Sequence, residues 1–430
     1  MSQIRFGTDG WRGIIAEDMT FANVRLAARA IARCLLRNEG GQANPNVLVG
    51  HDTRFLSREF ARAAAEAMAG EGVQVSLASA FAPTPALSYA VVRLQAAGAV
   101  IITASHNPPL YSGIKVKSRQ GESAPISFTR AVEEEIGRLG AESREPSSER
   151  RGPSAEGADF AIRNSQFEIS AFDPREPWLD RIEELVDLPR IGRAGIRVAL
   201  DVMYGAGQGL LAGRLRRAGL EVQELHAEIN PSFGGLNPEP IPVYMGPLID
   251  AVKGWEGSRA RVGFAFDGDA DRLSPVDEEG NVLSPHQCLA LLVRHLARNR
   301  GQRGTVVKSV NIGHMVDAEA ESLGVPVVVT PVGFKHIAEA MHRHDALAGG
   351  EESGGFAVRG HIHERDGGLA SLLLLECMVM TGKSLGSLVR EMEVEYGTHR
   401  YGRLDLRLRS LEARDRVVEA IAASPPDRLL

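Results

Sequence analysis

Several consecutive α/β domains are what this sequence predicts, and three observations carry that expectation. Short apolar runs such as Ala99-Val100-Ile101-Ile102, entered through Gly98, suit strands buried on both faces of a parallel sheet. Such runs alternate with helical patterns three times along the chain, which argues against a single sandwich. A length of 430 residues points to about three domains.

The elements follow in order. Strands are expected at residues 47–51, 73–78 and 99–103, with helices at 57–70 and 85–95 between them. Residues 142–157 are rich in Ser, Glu, Arg and Gly with few large apolar side chains, and read as a flexible loop or linker. A second domain starts near Phe172 and carries a strand at 197–201 and a helix at 209–218 before an acidic loop. A third opens with a helix at 286–299, has strands near 306–310 and 325–329, and closes with helices at 369–381 and 385–395. The last stretch reads as a strand at 400–408 and a helix at 411–423. The recurrence hints at related domains.

Composition narrows the function. The apolar share of 43% and charged share of 24% are those of a soluble globular protein. A net charge of −6 leaves no basic footprint for nucleic acid, so an anionic ligand needs a local positive pocket. Cys34, Cys288 and Cys377 are an odd, widely spaced set, expected as reduced thiols in the cytoplasm. The N-terminus has no apolar secretory core, and the stretch 369–380 contains Glu376 and is too short to span a bilayer.

Four segments carry chemistry. In Thr103-Ala104-Ser105-His106-Asn107-Pro108-Pro109, the Asn-Pro-Pro stops the strand and leaves Ser105 at its carboxyl end, where α/β sheets collect their chemistry. Ser105 is then a nucleophile, a phosphate carrier or a helix cap. In Asp267-Gly268-Asp269-Ala270-Asp271-Arg272, three alternate carboxylates after an apolar strand repel one another unless a cation holds them, and hard oxygens suit Mg²⁺ or Mn²⁺. A calcium EF-hand would need Gly at its sixth position, where Arg272 stands, and a helix rather than a strand before the loop. Arg272 either balances these charges or reaches a phosphate. Paired glycines around Glu351 and Ser353 in residues 349–355 suit close approach to sugar hydroxyls, against the plainer reading of a flexible acidic loop. Residues 6–13, with Thr8, Asp9 and Arg12 among glycines, suit a phosphate-facing loop but lack the P-loop spacing. Asp52 and Arg54 read as a solvent-facing ion pair, or else as a structural or phosphate-supporting pair.

In this order the segments resemble the α-D-phosphohexomutases, a family that includes phosphoglucomutases and phosphomannomutases, from residue 8 to residue 396. The resemblance implies three α/β domains with mixed sheets around a central cleft, at 1–160, 161–275 and 276–396, plus the truncated start of a fourth at 397–430. It implies a monomeric or dimeric enzyme that interconverts hexose 1- and 6-phosphates, glucose favoured and mannose possible. Glucose 1,6-bisphosphate or mannose 1,6-bisphosphate would be the activator. Ser105 resembles the phosphoserine, with His106 beside it, and Asp267, Asp269 and Asp271 the Mg²⁺ ligands, completed by an oxygen on Ser105. Lys115 resembles the active-site lysine, its pKa expected to be lowered by nearby cations for proton transfer. Arg12 and Arg272 match positions at the reacting phosphate, and Glu351 with Ser353 the pair that reads the 3- and 4-hydroxyls. Thr8, Lys308, Gly333 and Lys335 resemble further sugar-phosphate contacts.

Two departures stand out. Many bacterial relatives have a candidate acid-base histidine where this chain has Gly355, leaving Lys115, His106, Arg12 or the stretch 361–366 for that work. The family's Arg-x-Ser-Gly-Thr-Glu-Pro loop for the distal phosphate is absent from these 430 residues, which implies weak mutase turnover and ready loss of bisphosphate. The competing readings are a metal-dependent phosphatase built on Asp267-Gly268-Asp269 and a non-catalytic sugar-phosphate-binding protein.

Overall fold

A computed structural model describes residues 4–7, 9–38, 45–142, 169–255, 257, 260–403, 406 and 408–424. Residues up to Thr398 form one unit, and those from His399 onward a second.

The described residues of the first unit form three mixed sheets. The first comprises β1 (Trp11–Ile14), β2 (Asn46–His51), β3 (Gln74–Ala78), β4 (Gly98–Ile102), β5 (Tyr111–Lys117) and β6 (Ile169–Phe172), in the order β1-β5-β4-β2-β3-β6. The second has β7 (Arg197–Asp201), β8 (Glu221–Leu225), β9 (Arg261–Phe266) and β10 (Leu273–Val276), in the order β10-β9-β7-β8. The third has β11 (Val306–Ser309), β12 (Val327–Thr330), β13 (Ala348–Gly350) and β14 (Phe356–Val358), in the order β12-β11-β13-β14.

One plan underlies all three. A central strand (β2, β7, β11) pairs in parallel with the next strand on one side and with the one after that on the other. The chain then doubles back antiparallel, as β5, β10 or β14. The three reversals hold Ser105, Asp267 and Glu351, so each motif sits at the carboxyl end of its sheet. The recurrence visible in the sequence is thus a recurrence of topology.

Two expectations change. Residues 169–172, placed with the second domain by the sequence, form β6 and pair in parallel with β3 in the first sheet. Among the described residues of 400–408 none is strand, whereas the helix Leu411–Ala423 forms behind its Ser410 cap. A strand takes its hydrogen bonds from a neighbouring strand, while a helix makes its own. The expected linker at 142–157 lies outside the described residues from 143 onward.

Packing fixes the second and third sheets to each other through one apolar cluster that includes Leu200, Phe264, Leu291 and Leu373. The helix Gly367–Thr381 runs through it, apolar on every side and buried over residues 367–378. Its Glu376 is carried inside by three partners: His295 Nε2 at 2.7 Å, the Asp187 amide at 2.8 Å and Arg300 Nε at 2.7 Å. Burial pushes this carboxyl up, but the bonds from His295, Asp187 and Arg300 outweigh burial and hold it at about 2. A depressed carboxyl stabilises the fold above its unfolded value of about 4.3, and that stability is lost as pH falls toward 2. Glu376→Gln is therefore expected to lower the urea midpoint at pH 7 and to flatten its fall between pH 5 and pH 3. An unchanged slope would show that this carboxylate does not set acid stability. Cys34, Cys288 and Cys377 are buried free thiols. Among the described residues no single helix is long and apolar enough to cross a membrane.

Candidate active site

Strand β4 is buried throughout and ends at Ile102. Ser105 follows with φ of 52°, a left-handed backbone that costs a non-glycine residue about 1 kcal/mol or more. The loop is held in that shape from two sides. Thr103 Oγ1 accepts the Ser105 amide at 2.9 Å. Arg54 Nη2 donates to the carbonyls of Ser105 and Asn107, both at 2.6 Å, and Nη1 to those of Pro108 and Tyr111, both at 2.9 Å. Asp52 in turn fixes the guanidinium at 3.1 Å, and both side chains are fully buried. The solvent-facing pair expected from the sequence is instead an internal clamp on the serine loop.

The acidic loop meets Ser105 directly. Ser105 Oγ donates to Asp267 Oδ2 at 2.6 Å, and a Cβ on Gly268 would come within 2.5 Å of the Ser105 carbonyl oxygen. Only glycine allows that approach. Asp267 Oδ1 accepts the amides of Asp271 and Arg272 at 3.0 and 3.1 Å, and Thr84 Oγ1 donates to Asp269 Oδ2 at 2.6 Å. All three aspartates are buried. Burial, then Asp269 and Asp271, push the Asp267 carboxyl well above the usual range. Burial works on Asp269 as well, but Lys115 and Thr84 outweigh it and hold that carboxyl low.

These carboxylates offer ligand atoms within 4.8 Å of one another, and Asp269 Oδ1 and Asp271 Oδ1 are buried without a hydrogen-bond partner. Orphaned buried carboxylate oxygens are costly unless a cation takes them, so this donor set fits a hard divalent ion.

Lys115 corrects the sequence reading. Its Nζ lies 3.0 Å from Asp9 and 2.8 Å from both Asp269 and Asp271. Burial favours the neutral amine, but Asp269, Asp271 and Asp9 outweigh it, so the ammonium is held rather than released. His106 goes the other way: burial, then Arg272, Arg12 and Lys115, press its pKa well below normal. Its Nδ1 is 3.5 Å from Ser105 Oγ. Arg12 Nη1 donates to Asn107 Oδ1 at 3.0 Å, and Arg272 Nε stands 4.0 Å from Asp267 and 3.9 Å from Asp271.

The third loop joins through a residue that the sequence reading named only within the stretch 361–366. Arg365 reaches Asp9 at 2.6 Å, Asp271 at 3.1 Å and Glu351 at 3.1 Å, which ties all three modules together. Gly355 explains how. A Cβ there would lie 2.3 Å from Arg365 Cδ, so the absence of a side chain at 355 is what lets Arg365 cross the loop. The signal was available as a dense titratable run, His361-Ile362-His363-Glu364-Arg365-Asp366, six residues after Gly355. Glu351 Oε1 also accepts the Ser353 hydroxyl at 2.5 Å.

The remaining expected contacts are more scattered. Lys308 is buried with Nζ on Asp317 at 2.5 Å and on the Ile312 and Gly313 carbonyls at 3.1 and 3.4 Å. Gly333 precedes the helix Phe334–His344, and Lys335 in its first turn lines a cleft with Ser118, Glu122 and Ser123. Thr8 lies outside the described residues.

Comparison with known proteins finds matches along most of the chain. Residues 3–142, 176–280 and 284–396 match domains I, II and III of the family described as phosphoglucomutase/phosphomannomutase, alpha/beta/alpha. A probable phosphoglucosamine mutase of Methanosphaera stadtmanae is 31% identical over 389 residues, covering 88% of this chain and 76% of its own length. A phosphoglucomutase/phosphomannomutase of Thermococcus kodakarensis is 30% identical over 391 residues, covering 91% and 80%. The crystal structure of a putative phosphomannomutase from Thermus thermophilus superposes with a TM-score of 0.82 at 39% identity, covering 94% of this chain and 86% of that one.

Proposed function

From the membership of this chain in the phosphoglucomutase/phosphomannomutase family, we propose that it interconverts hexose 1- and 6-phosphates through a phosphoserine at Ser105. The observation that carries this reading is the 2.6 Å contact between Ser105 Oγ and a buried triad with two unpartnered carboxylate oxygens. Phosphoryl transfer through a loose transition state asks mainly for positioning and charge neutralisation. Asp267, Asp269 and Asp271, with an oxygen on phosphorylated Ser105, would hold a Mg²⁺, which supplies charge neutralisation on the transferring group.

The chain's own residues divide the rest of the work. A sugar hydroxyl attacks the phosphorus of phosphoserine, the bond to Ser105 Oγ breaks, and the oxygen left behind takes a proton. His106, kept neutral and with Nδ1 3.5 Å from Ser105 Oγ, accepts the hydroxyl proton and passes it to the serine oxygen, while Lys115, held as ammonium, offsets charge at the transferring group. The second half-reaction reverses these roles on the reoriented bisphosphate, glucose 1,6-bisphosphate when the sugar is glucose. Arg12 and Arg272 face the reacting phosphate, Glu351 and Ser353 read the 3- and 4-hydroxyls, and Thr8, Lys308, Gly333 and Lys335 serve the sugar phosphate elsewhere. Glucose is the expected sugar. Glucosamine is the second reading, favoured by the name of the Methanosphaera stadtmanae relative.

The test is turnover of glucose, mannose and glucosamine 1-phosphates with the matching bisphosphate, comparing kcat/KM. Stoichiometric inorganic phosphate without any 6-phosphate isomer would instead establish a phosphatase, and no turnover a binding protein. Arg54→Lys keeps the charge near Asp52 but cannot serve four carbonyls. It is expected to lower kcat about 10²-fold through misplacement of Ser105, with KM changed far less. Wild-type kcat in that variant would remove the clamp from the mechanism.

A further inference from the structure

A second cluster of metal-ligating side chains lies apart from the aspartate triad. Glu122 stands in the turn after β5, His342 near the end of the helix Phe334–His344, and His363 after β14. One ligand atom from each lies within 4.8 Å of the others. Glu122 Oε1 faces His342 Nε2 and is 3.8 Å from His363 Nδ1, and the two imidazoles meet edge to face with centroids 4.1 Å apart. Glu122 Oε1 is paired with His342, whereas His363 Nδ1 is a buried atom without a hydrogen-bond partner.

A third histidine stands beside the cluster. His361 lines the same cavity, of about 530 Å³, with Glu122, His342 and His363. Its side chain is 1% exposed, its Nε2 is 3.1 Å from Asp366 Oδ2, and its Nδ1 is buried with no partner. Asp366 is itself fixed by Trp178 Nε1 at 2.7 Å and by the Leu369 amide at 2.8 Å. A carboxylate that takes the N–H of one imidazole nitrogen leaves the other as a lone pair, the arrangement that orients histidines on metals.

We infer that Glu122, His342 and His363, with His361 beside them, form a binding site for one transition-metal cation of the Zn²⁺ class. Two imidazoles and a carboxylate suit such a borderline ion, while the all-oxygen triad suits Mg²⁺, so donor chemistry keeps the two sites distinct. Glu122 belongs to the first module and the two histidines to the third. The ion would therefore tie the β5 turn to the helix that carries Lys335, along the cleft that Lys335 and Glu122 share.

The test is a Co²⁺ titration of chelator-treated protein carrying Asp267→Asn and Asp269→Asn, which disables the triad. The expected result is one Co²⁺ per chain with the strong visible absorption of a four- or five-coordinate nitrogen-ligated ion, displaced by Zn²⁺ and not by excess Mg²⁺. His342→Gln and His363→Gln, each added singly, should weaken that binding more than about tenfold. His342 is half exposed, so its replacement leaves the fold intact, which circular dichroism and the melting temperature would confirm. Absence of the absorption band, or a band indifferent to both histidine substitutions, would overturn the assignment.

Discussion

Ser105→Ala is expected to abolish phosphorylation of the chain and to lower mutase turnover about 10⁴-fold or more, because no remaining group replaces a lost nucleophile. The substitution removes one buried oxygen and leaves the loop's supports in place. The Ser105 amide still bonds Thr103, and Arg54 still holds the Ser105 and Asn107 carbonyls. Loss of activity would then report chemistry and not unfolding, which an unchanged urea midpoint would check. Peptide mapping after incubation with glucose 1,6-bisphosphate should place the phosphate on residue 105 of the parent chain and nowhere in the variant. Label on an aspartate of the 267–271 loop would replace the phosphoserine mechanism with an aspartyl one.

Arg365→Ala should give the largest loss of stability, about 3–5 kcal/mol, as expected when one member of a buried ionic network is removed. Asp9, Asp271, Glu351 and Glu364 all face this guanidinium, and it is 4% exposed. Without it, Lys115 is left to serve Asp9 and Asp271 alone, and Glu351 loses the guanidinium that pairs with its Oε1. Denaturant unfolding at pH 7 is the measurement. A change below about 1 kcal/mol would show that the carboxylates relax into water or take up protons, and that Arg365 is not the hub of the site. Gly355→Ala should be destabilising through the same residue, since its Cβ would need the space that Arg365 Cδ fills.

The motifs were legible because they are local. Ser105, Asp267 and Glu351 each end a buried strand, and an apolar run followed by small or polar residues marks such an end in one dimension. The hub was less legible. Arg365 lies 356 positions from Asp9 and 94 from Asp271, and nothing within a window of sequence says which carboxylates an arginine will meet. Lys115 was misjudged for the same reason. The reading set it among cations, whereas the fold surrounds its Nζ with Asp9, Asp269 and Asp271.

By itself the sequence determined the α/β class, the strands that end in chemistry and the family, since these follow from period, composition and short ordered motifs. Tertiary structure decided the electrostatics: Asp52 and Arg54 as a buried clamp, Lys115 as a held ammonium, Arg365 as the link made possible by Gly355, and Ile169–Phe172 as a strand of the first sheet. The physical reason is that a charge's state depends on its distance from other charges and from water, and both are set by contacts between residues far apart in the chain.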